Sequence, residues 1–221
     1  MKISIITLFP EIFDPVLNSS ILKRAQKKGL IEFNLINLRE FGEGVHQIVD
    51  DRPYGGGAGM VLKADILASA LKSLPAKPYT ILTSASGTTY TQSKARELSK
   101  LKDIVIVCGH YEGVDQRFID KYVDEEISIG DYVLTGGEVP AMVIADSITR
   151  LIPGVLEKAD ATVEESFTED LLEYPHYTRP DDFEGLKVPE ILTSGNHQKV
   201  AEWRKEQGLE KTKKVRPDLL K

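Results

Sequence analysis

Short apolar runs alternate with amphipathic segments along the first 150 residues of the chain. The first run, KISIITLF at residues 2–9, is rich in β-forming residues and ends at Pro10, which predicts a strand. Further strands are predicted at residues 31–38, 79–83, 104–108 and 127–129. Strands that alternate with helices indicate an α/β fold, with a mainly parallel sheet and helices on both faces.

Between these strands, apolar residues recur at the spacing of an α-helix. One helix is predicted over residues 11–28, because basic residues cluster at its end just before Gly29. Others are predicted at residues 64–74, 91–100 and 139–151. Near the C-terminus, Asn196 is a typical N-cap for a helix that we expect to stop at Gly208.

The charge is distributed unevenly over the 221 residues. A formal net charge of -6 argues mildly against nucleic-acid binding. However, residues 157–190 hold 11 acidic and 3 basic residues, whereas residues 199–221 hold 8 basic and 4 acidic ones. The basic end can meet phosphates, so the distribution is compatible with RNA. We expect a large α/β domain at residues 1–158, an acidic linker at 159–172 and a small helical domain at 173–221.

Several classes of protein are excluded by composition. A single cysteine cannot build a disulfide framework, which favours a reducing, cytoplasmic setting, and Cys108 at the end of an apolar run predicts a buried structural thiol. No run of about 18 apolar residues predicts a membrane span. The usual phosphate-loop and dinucleotide fingerprints are missing. A phosphate-handling α/β hydrolase is a distant alternative that lacks a recognisable nucleophile constellation.

Three glycine-bearing segments are candidates for a binding site. They are DDRPYGGGAGM at residues 50–60, GHYEG at 109–113 and SIGDYVLTGGEVP at 128–140. Glycine clusters are often flexible surface loops or simple turns. The last two segments follow predicted strands, however, and ligands of open α/β sheets bind beyond the carboxyl ends of strands. They predict a pocket of backbone donors and acceptors with tyrosine and leucine walls, suited to a polar ligand that carries adenine.

These segments also carry a resemblance, together with ITLFPEIF at residues 6–13, RLIPGVL at 150–156, YPHYTRP at 174–180 and SGNH at 194–197. In this order and spacing, the chain resembles the bacterial tRNA (guanine-N1)-methyltransferases from end to end. The resemblance implies a knotted, SPOUT-type α/β domain with a trefoil knot. It also implies a homodimer with a shared active site, S-adenosylmethionine as methyl donor and tRNA as substrate.

The resemblance further implies site residues. S-adenosylmethionine would contact residues at three predicted strand ends: Thr83, Ser84, Ala85, Gly87, Gly109, Tyr111, Glu112, Ile129, Gly130, Asp131, Tyr132, Val133, Leu134, Gly136, Gly137 and Pro140. Arg150 would contact the target guanine, whereas Asp50 and Arg52 would approach the RNA. The resemblance leaves assistance by Mg²⁺ open, and no residue is assigned to a metal.

The methylated atom would be N1 of guanine 37, just 3′ of the anticodon. This nitrogen carries a proton at neutral pH, so a carboxylate is expected as general base. The family has an aspartate directly before Ser-Phe, where this chain has Glu165, with Glu169 and Asp170 as further candidates.

The chain departs from the family in several places, among them Ala85, where a proline is common. Glu165 replaces the family aspartate, Asp170 stands where glycine is usual, and the sequence ends soon after RPDLL, so we expect fewer tail contacts. These departures keep a second hypothesis open, a non-catalytic RNA-binding or regulatory member of the same fold.

Overall fold

The computed structural model describes residues 1–75, 77–157, 165–168 and 170–220. The chain forms two compact units, Met1–Leu156 and Glu157–Lys221. The first unit is built around a five-stranded sheet whose strands are β1 (Lys2–Thr7), β2 (Glu32–Asn37), β5 (Tyr79–Thr89), β6 (Asp103–Cys108) and β7 (Glu125–Ser128). Their order across the sheet is β2-β1-β6-β5-β7, and every neighbouring pair is parallel. The predicted parallel α/β sheet is therefore confirmed.

Helices cover both faces of this sheet because its central strands are apolar on both sides. Ile3, Ile5 and Ile106 point into one core, which is completed by α1 (Asp14–Leu17), α2 (Ser20–Lys27), α4 (Gln92–Leu98) and α6 (Glu138–Thr149). Ile6 and Val107 point into a second core, which is completed by α3 (Ala64–Lys72) and α5 (Gln116–Tyr122). Successive side chains of a strand face opposite sides of the sheet, so β1 and β6 contribute to both cores.

The glycine-rich segment forms an excursion beside the sheet. Its arms are β3 (Asp50–Asp51) and β4 (Val61–Leu62), which pair antiparallel. Leu62 is fully buried in the second core, so the exit arm of the excursion is anchored to the domain.

Two sequence predictions in this unit are wrong. The helix predicted over residues 11–28 is broken into α1 and α2, because the polar run from Asn18 to Ser20 interrupts it. The Ser19 hydroxyl donates to Val16 O at 3.0 Å, and Ser20 adopts a positive φ of 43°. The strand predicted to end at Thr83 continues to Thr89, with an out-of-register excursion between Thr83 and Thr88.

In its described residues, the second unit contains a hairpin of two-residue strands, two α-helices and a short 3-10 helix (Pro217–Leu220). The hairpin pairs β8 (Asp182–Phe183) with β9 (Leu186–Lys187), and the helices are α7 (Glu190–Thr193) and α8 (His197–Val215). As expected, the Asn196 side chain caps α8, accepting from Lys199 N at 3.1 Å. The predicted stop at Gly208 is wrong. Gly208 lies inside α8, where a Cβ would be 2.9 Å from Leu172 O, so it permits close packing instead of ending the helix.

In the part of the chain that the structure describes, no helix combines the length and the apolar character needed to cross a bilayer.

Candidate functional site

A cavity of about 480 Å³ lies where the irregular segment of β5 after Thr83 meets the carboxyl ends of β6 and β7. The carboxyl edge is where open α/β sheets bind ligands, and the volume is within the range of small-molecule sites. Residues 84–86 line the cavity together with residues of the 109–113 and 128–140 motifs, the two segments from which the sequence predicts a pocket. Its walls include most of the residues that the family resemblance implies: Thr83, Ser84, Ala85, Gly109, Tyr111, Glu112, Ile129, Gly130, Tyr132, Val133, Leu134, Gly136, Gly137 and Pro140.

The hydroxyl of Thr83 connects the chain segments that form the base of this cavity. Thr83 Oγ1 accepts a hydrogen bond from Gly109 N at 3.3 Å and faces two carbonyl oxygens, Val107 O and Gly137 O, each at 3.2 Å. The side chain is buried, so these polar groups satisfy one another without water. One threonine within β5 therefore links this strand to the end of β6 and to the turn before α6.

Close packing of backbone at this junction depends on Gly137. Gly137 N donates to Gly109 O at 2.7 Å, and His110 and Gly136 form an isolated antiparallel bridge beside it. A Cβ on Gly137 would collide with Thr83 Oγ1 and lie 2.6 Å from Gly109 N. Only a residue without a side chain lets these two turns approach so closely.

The outer wall of the cavity is a tight turn that presents an aromatic ring. Tyr132 N donates to Gly130 O at 2.9 Å, and the Ser128 hydroxyl donates to the same oxygen at 2.9 Å. The Tyr132 ring covers Gly130 so closely that a Cβ there would be 2.5 Å from its Cε1. Tyr132 remains 55% exposed, and Leu134 is also exposed, so the wall offers apolar surface to a ligand.

The glycine-rich excursion reaches the rim of the cavity at Glu112. Glu112 N donates to Met60 O at 3.0 Å, and a Cβ on Gly59 would lie 2.5 Å from Glu112 Cγ. Asp50 and Arg52 belong to the entry arm of the excursion, where Asp50 pairs with Leu62 and Arg52 is exposed.

A buried polar network lies behind the cavity. Thr7 Oγ1 accepts from Phe9 N at 3.0 Å and donates to Glu138 Oε1 at 3.0 Å, and Glu138 is only 5% exposed. Burial, reinforced by the negative charge of Glu138, raises the pKa of the Cys108 thiol well above its usual value. Cys108 is therefore a buried, protonated thiol, as the sequence predicts, and not a nucleophile.

Some residues of the cavity were not predicted as site residues. His110 is the clearest of these, because its ring lies between Phe9 and Tyr111, with centroid distances of 5.3 and 4.7 Å. His110 belongs to the GHYEG motif, so its position in the motif was an available signal. Ser128 and Thr135 also line the cavity and belong to the 128–140 motif, and Ser86 lies between the implied cofactor residues Ala85 and Gly87. Gln116 and Glu126 line it as well, but no motif within the chain singles them out.

Two of the implied cofactor residues are not part of the described cavity wall, namely Gly87 and Asp131. The structure gives a packing reason for the glycine at position 87. A Cβ there would lie 2.6 Å from Glu126 C and Ile127 N, so Gly87 lets the excursion of β5 return against β7. Asp131 is exposed.

Arg150 and Glu165 lie in other parts of the chain. Arg150 is the C-cap of α6, at the opposite end of the helix from Gly137. Glu165 belongs to the second unit, where Glu165 O accepts from Thr168 N at 3.2 Å. Glu169 and residues 159–164 of the predicted linker lie outside the described residues. Within the described parts of the chain, no group of three or more His, Cys, Asp or Glu side chains could hold a metal ion, so the Mg²⁺ hypothesis gains no support.

The fold and the cavity together define an α/β protein with a cavity of small-molecule size at one edge of a parallel sheet. Comparison with known proteins is more specific. A family model described as tRNA (Guanine-1)-methyltransferase TrmD matches residues 1–221, and the chain belongs to this family. The enzyme family that the motifs indicate is therefore confirmed.

Curated relatives support the same assignment. The chain is 53% identical to the tRNA (guanine-N(1)-)-methyltransferase of Bacillus subtilis (strain 168), over 100% of this chain and 93% of the relative. It is 55% identical to the protein of that name from Carboxydothermus hydrogenoformans, over 100% of this chain and 88% of the relative. The corresponding protein of Clostridioides difficile is 53% identical, with 98% of its length covered.

Proposed function

We propose that the chain transfers a methyl group from S-adenosylmethionine to N1 of guanine 37 in tRNA. The observation that carries this proposal is the cavity between the irregular segment of β5 and the loops after β6 and β7, in a chain whose whole length matches the family. Family membership supports the activity, and the residues of the cavity support the donor and the site.

The residues of the cavity fit S-adenosylmethionine in size and chemistry. Gly109 and Gly137 line the cavity, where the backbone offers main-chain donors and acceptors suited to an adenine edge. Tyr132 and Leu134 would enclose apolar parts of the ligand, and the loop from Ile129 to Leu134 would hold it together with Thr83. When bound, S-adenosylmethionine supplies an electrophilic methyl group.

A carboxylate of the second unit is proposed to accept the proton from guanine N1. General-base help of this kind contributes about 10²–10⁴-fold. Glu165 has the required chemistry, and two hydrogen bonds hold the chain next to it: Phe167 N donates to Leu171 O at 2.8 Å, and Glu173 N donates to the Ser166 hydroxyl at 3.1 Å. A base in an ordered turn of a separate unit would act only when RNA brings it to the guanine, which adds selectivity.

The position of Arg150 supports a homodimer with a shared active site. Pro140, in the first turn of α6, lines the cavity, and Arg150 lies ten residues further along, about 15 Å away at 1.5 Å per residue. An arginine so far along the helix would contact a guanine more readily at the cavity of a second copy. The exposed side chains of Val139 and Val143 on α6 are suited to burial in such an interface.

A trefoil knot is also part of the proposal. The sheet order places β5 between β6 and β7. Even so, the segment that follows β7 bonds the segment that follows β6, through Gly137 N and Gly109 O. This crossing over the end of β5 supports the knotted path that the family implies. Asp50 and Arg52, on the excursion beside the cavity, are proposed to contact the RNA.

The activity is tested by incorporation of a labelled methyl group from S-adenosylmethionine into unmodified tRNA. We expect incorporation into tRNA with guanine at position 37 and none when another base replaces it. Incorporation that survives this replacement would refute the site assignment. Calorimetry that detects no binding of S-adenosylmethionine would instead favour a non-catalytic RNA-binding protein.

The assignment of the base is tested by Glu165→Gln, with Asp170→Asn as the matched control in the same turn. We expect Glu165→Gln to lower the single-turnover rate by about 10²–10⁴-fold, because the amide cannot accept the proton. Asp170→Asn should leave that rate unchanged. The opposite pattern would assign the base to Asp170.

A further inference from the structure

Gly59 is the last of the four glycines in the excursion between β3 and β4, and it packs directly against the Glu112 side chain. A Cβ on Gly59 would lie 2.5 Å from both Cγ and Oε1 of Glu112, and 2.9 Å from its Cδ. Glu112 itself lines the cavity. The Glu112 carboxylate therefore lies where a side chain at position 59 would have to go.

The backbone around Gly59 is joined to the backbone around Glu112. Met60 O accepts from Glu112 N, and Leu62 N donates to Gly113 O, both at 3.0 Å. The residue before Glu112, Tyr111, has a positive φ of 59°, a conformation that a tyrosine rarely adopts and that the surrounding structure must hold. The exit arm of the excursion and the 111–113 turn therefore move as one piece.

Other glycines of the same excursion lack this contact. Gly55 and Gly56 have φ values of 86° and 81°, close to the 83° of Gly59, but nothing lies within 4 Å of a Cβ built on either residue. An alanine at Gly56 or Gly59 would thus carry a similar backbone strain. Only the alanine at Gly59 would meet Glu112.

We infer that Gly59 is a positioning residue that fixes the Glu112 carboxylate at the cavity wall. Through this contact, the glycine-rich excursion that carries Asp50 and Arg52 sets the orientation of Glu112. RNA bound on the excursion would then adjust a carboxylate of the cavity without touching it. This inference rests on the proposed function, because it takes the cavity as the cofactor site.

The first test compares Gly59→Ala with Gly56→Ala in the full-length chain. Because the obstacle at Gly59 is a side chain that can rotate, we expect both variants to lower the thermal unfolding midpoint to a similar extent. Gly59→Ala alone should weaken binding of S-adenosylmethionine, measured by calorimetry without tRNA. We expect the Kd for S-adenosylmethionine to rise about tenfold or more, as the loss of one hydrogen bond to a charged group would cause. It should also lower kcat/KM for tRNA by up to about a hundredfold, as a misplacement of about 1 Å can do.

The second test introduces Gly59→Ala into a Glu112→Ala background. If Gly59 acts through Glu112, the added substitution will change neither the cofactor Kd nor kcat/KM further, because the side chain that it displaces is gone. Provided that the wild-type chain binds S-adenosylmethionine, two results would overturn the inference. They are additive effects of the two substitutions in this cycle, and equal effects of Gly59→Ala and Gly56→Ala. A wild-type chain that binds no S-adenosylmethionine would refute the proposed function, and this inference with it.

Discussion

Gly137 and Gly56 are glycines for different reasons. Gly137 has an ordinary backbone conformation, with φ of -82°, but a side chain there would collide with Thr83 and crowd the backbone of Gly109. Gly56 has open space around it but adopts φ of 81°, which residues with a side chain adopt at a cost. The first glycine is required by packing and the second by conformation.

This difference separates the rigid part of the site from its adaptable part. At Gly137 the neighbours are backbone and a buried hydroxyl, which cannot move without displacing β5 or β6. At Gly56 no neighbour depends on the residue, so the excursion can change shape around it. The base of the cavity is thus a fixed junction, and the rim beside the excursion is where a large substrate can alter the site.

The largest effect is expected for Gly137→Ala. The new methyl group meets Thr83 Oγ1 and the backbone of Gly109, so the junction must open, and overpacking of this kind costs about 1–3 kcal/mol of unfolding free energy. Denaturant unfolding measures that loss, and calorimetry should detect no cofactor binding. Gly56→Ala is the control and should retain binding. Normal binding by Gly137→Ala would show that the junction is not rigid.

Thr83→Val is expected to have the next largest effect. It keeps the shape of the side chain but leaves Gly109 N without its acceptor, which costs about 1–3 kcal/mol for a buried donor. Thr80→Val is a matched control on the same strand, because Thr80 is equally buried and its hydroxyl makes only one long bond, to Pro78 O at 3.4 Å. Equal destabilisation of the two variants would mean that the Thr83 hydroxyl does not hold the junction.

The location of the site could be predicted from sequence because parallel strands end at a common edge. The motifs at residues 109–113 and 128–140 follow apolar strands, and the structure brings both to the cavity.

The irregular segment of β5, between Thr83 and Thr88, could not be predicted in this way. Residues 84–87 are polar and small, and only pairing with β7 shows that the strand resumes at Thr88 in a shifted register. The resemblance implies that Gly87 contacts the cofactor, whereas the structure shows that its close neighbour is the β7 backbone.

The same limit explains the error at Gly208. A glycine after a helical pattern usually marks a helix end, and the sequence contains nothing that distinguishes this from a glycine needed for packing. The distinction lies in Leu172, 36 positions earlier, whose carbonyl oxygen packs against Gly208 and whose amide donates to Thr212 Oγ1 at 2.8 Å. Contacts between residues so far apart in sequence leave no periodic signal.

Gly208→Ala tests whether packing also dominates in the second unit. Alanine favours the helix by about 0.5–1 kcal/mol, but its Cβ would lie 2.9 Å from Leu172 O, and overpacking costs about 1–3 kcal/mol. We expect a net loss of about 1 kcal/mol and faster hydrogen exchange in α8. Glu206→Ala, at an exposed position of the same helix, should be neutral or stabilising. Stabilisation by Gly208→Ala would show that propensity outweighs the contact.

The smallest effect is expected where the chain has a side chain at a position that the family usually fills with glycine. Asp170 adopts a positive φ of 55° and is exposed, so it resembles Gly56 in conformation and in open surroundings. Asp170→Gly removes the strain of a left-handed residue but adds chain entropy to the unfolded state, and the two terms nearly cancel. We expect a change in unfolding free energy of no more than about 1 kcal/mol and an unchanged methyl-transfer rate. A variant that unfolds normally but transfers methyl groups slowly would give Asp170 a chemical role that its conformation alone does not require.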